Sequence, residues 1–202
     1  MVATIGVGDR PAGVVVAAVP VDTTPPACAL TAMRAGPPTQ IDVTVQDPGS
    51  GLASVVVTQS DNANTVVPPF AVGSTAPVVV TATKIIQGQP ARVALRVTDV
   101  AGNVTNCDPV LVALDRATGK PKRVTVPDLP QVEHFITVTN GTPGITTLRI
   151  EVNGTALKPL HLDDGQTTTL NVASAMAPGS ANTIILTPTG KPGGNATVLI
   201  HD

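Results

Sequence analysis

Glycine and proline interrupt this chain at short intervals along its whole length, and they number 18 and 20 among its 202 residues. Both residues are unfavourable inside helices, so the segments between them are too short for long helices. Trp and Tyr are absent, and there are only two Phe. The core must therefore be built from Val, Ile, Leu and Ala, and β-branched side chains favour strands. These features predict an all-β fold.

Regular alternation of apolar and polar residues supports this prediction. Ile41, Val43 and Val45 alternate with polar residues, which is typical of a strand with one buried face. Short strands separated by turn residues, one of them expected over 103–113, predict two β-sandwich domains preceded by an extended strand. The expected limits are 1–22 for the N-terminal strand segment, 23–115 for the first sandwich, 116–130 for a linker and 131–202 for the second sandwich.

Three motifs within residues 23–115 resemble those of the bacterial immunoglobulin-like modules found in repeat arrays of surface proteins. They are Thr24-Pro25-Pro26-Ala27-Cys28, Asp47-Pro48-Gly49-Ser50-Gly51-Leu52 and the segment 97–105, whose Asp-Val-Ala-Gly-Asn element resembles the hairpin before the last strand of those modules. The resemblance implies an immunoglobulin-like sandwich that serves as a spacer or adhesion module without catalytic residues. Residues 2–19 resemble a single repeat of the YVTN-type surface β-propellers, whereas a propeller needs several blades to bury its faces.

Residues 12–21 form an almost purely apolar segment. A strand with three successive valines, 14–16, has apolar side chains on both faces, and both faces need cover. At an exposed sheet edge such a segment would promote aggregation. It either pairs within its own molecule or is added as a strand to a neighbouring copy, and the sequence leaves both alternatives open. The residues expected at a strand-addition interface are Val14, Val15, Val16, Val19 and Val21.

Two cysteines, Cys28 and Cys107, lie beside proline-containing boundaries near the two ends of the first expected sandwich. This position predicts a structural disulfide, with two buried free thiols as the alternative. Disulfides persist in oxidising compartments, and a charged fraction of only 13% is typical of secreted or cell-surface proteins, so we expect that location. Residues 1–4 lack the basic and apolar regions of a signal peptide, so an exported form is expected to begin after its signal.

Composition excludes several classes of function. The net charge of −2 provides no basic surface for nucleic acid, and the scarcity of aromatic residues removes stacking platforms for bases. No apolar run is long enough to cross a bilayer. The three His are dispersed, the serines lack a Gly-x-Ser-x-Gly motif, and the two Glu do not suggest a glycosidase pair. The sequence therefore predicts neither an enzyme nor a cofactor.

Calcium is the ligand best suited to the remaining polar residues, because Asp carboxylates and turn carbonyls coordinate hard cations. The candidate ligands are Asp47, Asp99, Asp108, Asp163 and Asp164. Asp also forms turns through hydrogen bonds to its own backbone, which is the simpler interpretation. Four Asn-x-Thr sequons mark candidate glycosylation sites, although Asn-Gly-Thr is also typical of a β-turn. Their asparagines are Asn103, Asn140, Asn153 and Asn195.

These observations favour a non-enzymatic extracellular structural protein, a subunit of a filament or surface assembly. Its copies would form a homo-oligomer or polymer through strand addition between neighbours, since a head-to-tail contact generates open polymers. The alternative is an adhesin-type stalk or binding module that recognises a glycan or a protein through its loops. The near absence of aromatic residues counts against this alternative, because binding hot spots are rich in Trp and Tyr.

Overall fold

The computed structural model describes residues 21–34, 38–115, 123–129 and 133–201, which form sixteen β-strands and one 3₁₀ turn at Ala173–Ala175. The first eight strands are β1 Ala27–Arg34, β2 Gln40–Gln46, β3 Leu52–Asp61, β4 Ala63–Val66, β5 Val78–Lys84, β6 Ala91–Asp99, β7 Val104–Cys107 and β8 Val110–Asp115. The remaining eight are β9 Val124–Leu129, β10 Phe135–Asn140, β11 Thr147–Val152, β12 Thr155–Ala156, β13 Leu160–His161, β14 Thr167–Asn171, β15 Asn182–Thr189 and β16 Asn195–His201. The predicted all-β class is confirmed.

Alternating side chains explain why these segments form strands. In β2 the side chains of Ile41, Val43 and Val45 are buried, and the residues between them are half-buried. β11 and β15 show the same period of two. Each of these three strands therefore buries one apolar face, which is the arrangement the alternation predicts.

The strands form three antiparallel sheets. The four-stranded sheet has the order β1-β2-β5-β4. The seven-stranded sheet has the order β14-β10-β16-β8-β6-β3, with β7 paired to β6. The five-stranded sheet has the order β12-β11-β15-β9, with β13 paired to β11. Packing of sheets face to face is compatible with a β-sandwich.

Two hydrophobic cores lie between these sheets. The first core is formed mainly by β2 and β5 of the four-stranded sheet and by β6 of the seven-stranded sheet. The second core is formed mainly by β8, β10 and β16 of the seven-stranded sheet and by β11 and β15 of the five-stranded sheet. The seven-stranded sheet therefore contributes to both cores.

Strands β8 and β16 are the elements that the two cores share. Val110 and Val112 of β8 lie in the second core, whereas Leu111 between them lies in the first. In β16, Val198 lies in the second core and Leu199 in the first. Because alternate residues point to opposite faces, these two strands are covered on both faces.

One expected strand is divided in the structure, and two observations concern the expected domain limits, which stay a prediction. The strand expected over 103–113 is divided into β7 and β8 at Asp108 and Pro109, because proline has no N–H to donate to a ladder. The segment 116–130, expected to be a linker, contains β9, which pairs with β15. β8 contributes to both cores, so the cores share a strand just before the predicted boundary at residue 115.

The predicted disulfide between Cys28 and Cys107 is present. It joins β1 of the four-stranded sheet to β7, which pairs with β6 of the seven-stranded sheet, and its Cα atoms are 6.3 Å apart. Cys107 is buried and Cys28 is half-buried against the first core. The bond therefore crosslinks the two sheets that enclose this core.

Candidate functional site

Three aspartates meet at one end of the first core. Asp22 precedes β1, Asp47 directly follows β2 and Asp99 is the last residue of β6. Each contributes one carboxylate oxygen to a group in which all three oxygens lie within 4.8 Å of one another. Asp47 and Asp99 are 0% and 1% exposed, and Asp22 is half-buried. We call this group the aspartate cluster.

Asp47 organises the loop 47–51. Its Oδ2 atom accepts a 2.6 Å hydrogen bond from the backbone N–H of Gly51 and a 3.3 Å bond from the Ser50 hydroxyl. Gly51 has a φ of +82°, and a Cβ there would overlap the backbone of Gly73, so glycine is required at this position. The Oδ1 atom of Asp47 is buried and has no hydrogen-bond partner.

Asp99 organises the hairpin between β6 and β7. Its Oδ1 atom accepts a 2.7 Å bond from the backbone N–H of Asn103, and its Oδ2 atom accepts a 2.7 Å bond from the Asn103 side-chain amide. The same amide donates to the carbonyl oxygen of Asp22 at 3.1 Å. Asn103 therefore connects this hairpin to the chain that enters β1.

Asp22 connects the chain before β1 to the loop 47–51. Its Oδ1 atom accepts from the backbone N–H of Thr24 at 3.0 Å, and its Oδ2 atom accepts from the N–H of Ser50 at 2.8 Å. These bonds, from Thr24 and then from Ser50, lower the pKa of Asp22 below its usual value because they favour the charged carboxylate. A Cβ on Gly49 would collide with the Asp22 carboxylate.

The structure brings together two of the five calcium candidates predicted from the sequence, Asp47 and Asp99. Asp108 is half-buried at the start of the break between β7 and β8 and is not in the cluster. Asp163 and Asp164 are exposed, and Asp164 accepts a 2.9 Å bond from the N–H of Gly144. Asp22 was not among the calcium candidates, because the sequence Asp-Thr-Thr-Pro-Pro is typical of an extended linker.

Val21 is the one residue of the expected strand-addition interface that belongs to the described part of the chain, and it is 78% exposed. The other four lie outside the described residues: Val14, Val15, Val16 and Val19.

The asparagines of the four sequons all donate hydrogen bonds through the side-chain nitrogen to which a glycan would be attached. Asn140 is buried and donates to the carbonyl oxygens of Ile145 and Asp163, each at 2.9 Å. Asn153 donates to the side-chain oxygen of Asn182 at 2.7 Å. The bonds of Asn103 are described above, and Asn195 donates to the carbonyl of Pro143 at 3.2 Å. Glycosylation at these positions stays a prediction. Because a glycosylated amide nitrogen keeps one hydrogen, it would remove at least one bond wherever that nitrogen donates two, as in Asn140.

A shallow groove of about 560 Å³ lies on the five-stranded sheet, beside β11, β15 and the segment after β12. Arg123, Arg149 and Glu151 line it together with apolar side chains such as Leu157 and Ile185. Arg123 and Glu151 are 4.0 Å apart and partly exposed, so solvent weakens their attraction. The groove is distinct from the aspartate cluster, with which it shares no residue.

No family model matches the chain, and no curated protein matches its sequence. Among solved structures it is similar to the secreted serine protease VesC from Vibrio cholerae, with 12% identity and a TM-score of 0.33. The match covers 89% of this chain, which spans about half (51%) of the VesC chain. This TM-score is too low to assign a fold or an activity.

Within the described ranges, no helix has the length and apolar character required to cross a membrane.

Proposed function

We propose that this chain is a non-enzymatic structural protein of the cell surface or the extracellular space, a subunit of a filament or surface assembly. Neighbouring copies are joined when residues 12–21 of one copy add a strand to a sheet of the next. The disulfide between the two sheets of the first core supports an oxidising location. The same crosslinked sheets support the immunoglobulin-like character that the motifs of residues 23–115 suggest.

The observation that carries this proposal is the environment of β8 and β16. These strands have apolar residues on both faces, and each face packs into a different core. Residues 12–21 have the same two-faced apolar composition and therefore need the same cover on both faces. Val21, at the end of that segment, is 78% exposed, so the described part of its own chain does not cover it.

The sheets offer edges that can accept such a strand. An edge strand presents unpaired N–H and C=O groups, which an added strand can satisfy. β3 lies at the end of the seven-stranded sheet and has ten residues, more than any other strand at a sheet end among the described residues. Its outward-facing Val56 is 50% exposed and would gain cover from an added strand.

The proposal is tested by deleting residues 1–21, a change that retains all three residues of the aspartate cluster. We expect the complete chain to form assemblies in electron micrographs and to elute ahead of the monomer in size-exclusion chromatography. The deletion variant should elute as a monomer, because the added strand is missing. Deletion of residues 1–11 alone is the matched control and should leave assembly intact.

Assembly of the 1–21 deletion variant at the wild-type level would contradict strand addition, and so would a complete chain that remains monomeric. A monomer that retains a specific ligand on a glycan or protein array would favour the adhesin-type alternative.

A further inference from the structure

We propose that Asp22, Asp47 and Asp99 form a calcium site. Their carboxylate oxygens lie within 4.8 Å of one another. Oxygens that share one Ca²⁺ at 2.3–2.6 Å lie at most about 5 Å apart, so the spacing fits a common ion. The ligands are all oxygens, and Ca²⁺ takes carboxylate and carbonyl oxygens in irregular geometries that loops can supply.

A second observation separates this site from a group of loop-forming aspartates. Hydrogen bonds to the loops account for both oxygens of Asp22, both oxygens of Asp99 and one oxygen of Asp47. The Oδ1 atom of Asp47 remains without a partner, although Asp47 is 0% exposed. A buried carboxylate oxygen without a partner is costly, and a cation that this oxygen also coordinated would remove that cost.

The negative charges of the cluster also favour a bound cation. Three carboxylates at this distance repel one another, and burial of Asp47 and Asp99 keeps solvent from screening them. Neither the ion pair Arg34–Asp42 nor the ion pair Arg123–Glu151 involves a member of the cluster. A divalent cation neutralises most of the negative charge there.

Calcium at this site would fasten three segments together. Asp22 belongs to the chain entering β1, Asp47 to the loop after β2 and Asp99 to the end of β6. The bound ion would therefore hold the chain just before the first sheet against the end of the first core. This inference is independent of strand addition, because its ligands all follow residue 21.

The experiment titrates CaCl₂ into the complete chain after removal of metal with EDTA, using isothermal titration calorimetry and thermal unfolding. We expect one site with a Kd on the order of 10⁻⁴–10⁻³ M, the range of extracellular calcium modules. Saturating Ca²⁺ should raise Tm by about 3–6 °C, because the ion binds the folded state. Asp22→Asn should weaken binding by about tenfold or more. Asp163→Asn, which removes an exposed aspartate outside the cluster, should bind like the wild type.

A second variant removes no ligand. Gly49→Ala places a methyl group where the Asp22 carboxylate lies, and the flexible carboxylate can move away without disturbing the fold. Gly49→Ala should therefore weaken calcium binding while circular dichroism of the metal-free protein stays unchanged. The inference is overturned if the wild type shows neither binding heat nor a Tm shift, or if Asp22→Asn and Gly49→Ala both bind as tightly as Asp163→Asn.

Discussion

Single residues in this protein combine turn formation with other contacts. Asn153 and Gly154 both have positive φ values, +50° and +83°, as expected for the two-residue hairpin turn that Asn-Gly favours. The side chain of Asn153 then bonds Asn182 across the sheet end. Asp22 similarly accepts N–H groups from two separate segments. The sequence shows that a turn-forming residue is present at each position. Its second hydrogen-bond partner is determined only by the folded chain.

The lowered pKa of Asp22 predicts a pH-dependent contribution to stability. Its ordinary value is 3.8 and hydrogen bonds from Thr24 and Ser50 lower it, so the charged form is favoured by folding. This contribution is fully present above about pH 4 and is lost as the pH falls through the lower folded-state value. In metal-free urea unfolding, the stability difference between wild type and Asp22→Asn should therefore shrink as the pH falls below 4. A difference that is constant between pH 6 and pH 2 would contradict this account.

At the scale of elements, a strand with two apolar faces is stable only where both faces are covered. Leu199 of β16 lies opposite Leu111 of β8 in the ladder, and both side chains belong to the first core. Their neighbours Val198 and Val112 are also paired and belong to the second core. The ladder between β8 and β16 therefore contributes side chains to both cores.

Truncation of Leu199 tests this shared packing. Leu199 is 0% exposed, so Leu199→Ala should lower the free energy of unfolding by about 2–5 kcal/mol through lost burial and a residual cavity. Val56→Ala, at a 50% exposed position on β3, is the matched control and should change stability by no more than about 0.5 kcal/mol. Chemical denaturation measures both. Equal effects of the two changes would show that Leu199 does not pack as described.

At the scale of the whole molecule, the disulfide adds stability to a first core that is built mostly from aliphatic side chains, with Phe70 packed against it. Both described cores consist largely of Val, Ile, Leu and Ala. Smaller side chains bury less apolar area each than Phe, Tyr or Trp would. Crosslinking β1 to β7 restricts the unfolded chain over a separation of 79 residues.

Loss of this crosslink should destabilise the protein markedly. Chain-entropy arguments for a loop of this length predict a loss of roughly 4 kcal/mol in the Cys28→Ser/Cys107→Ser variant, measured by urea denaturation. Dithiothreitol should lower the stability of the wild type towards that of the variant and leave the variant unchanged. A double variant as stable as the oxidised wild type would refute the structural role of the bond.

The amino-acid sequence by itself determined the local features. The alternation of Ile41, Val43 and Val45 with polar residues predicted the strand observed as β2, because a strand's face is set by every second residue. Two cysteines allowed only one intramolecular pairing. β9 was missed because its sequence contains Pro127 and follows a basic, Pro-containing segment that is typical of linkers.

Only the tertiary structure decided which faces and loops meet. The apolar residues of β8 and β16 require cover on both faces, but their period does not specify which sheet provides it. Asp22, Asp47 and Asp99 are far apart in the chain and are brought together only when β1, β2 and β6 take their places in two packed sheets. The local sequence pattern indicates whether a side chain needs a buried environment. Only the long-range packing of the sheets determines which residues surround it.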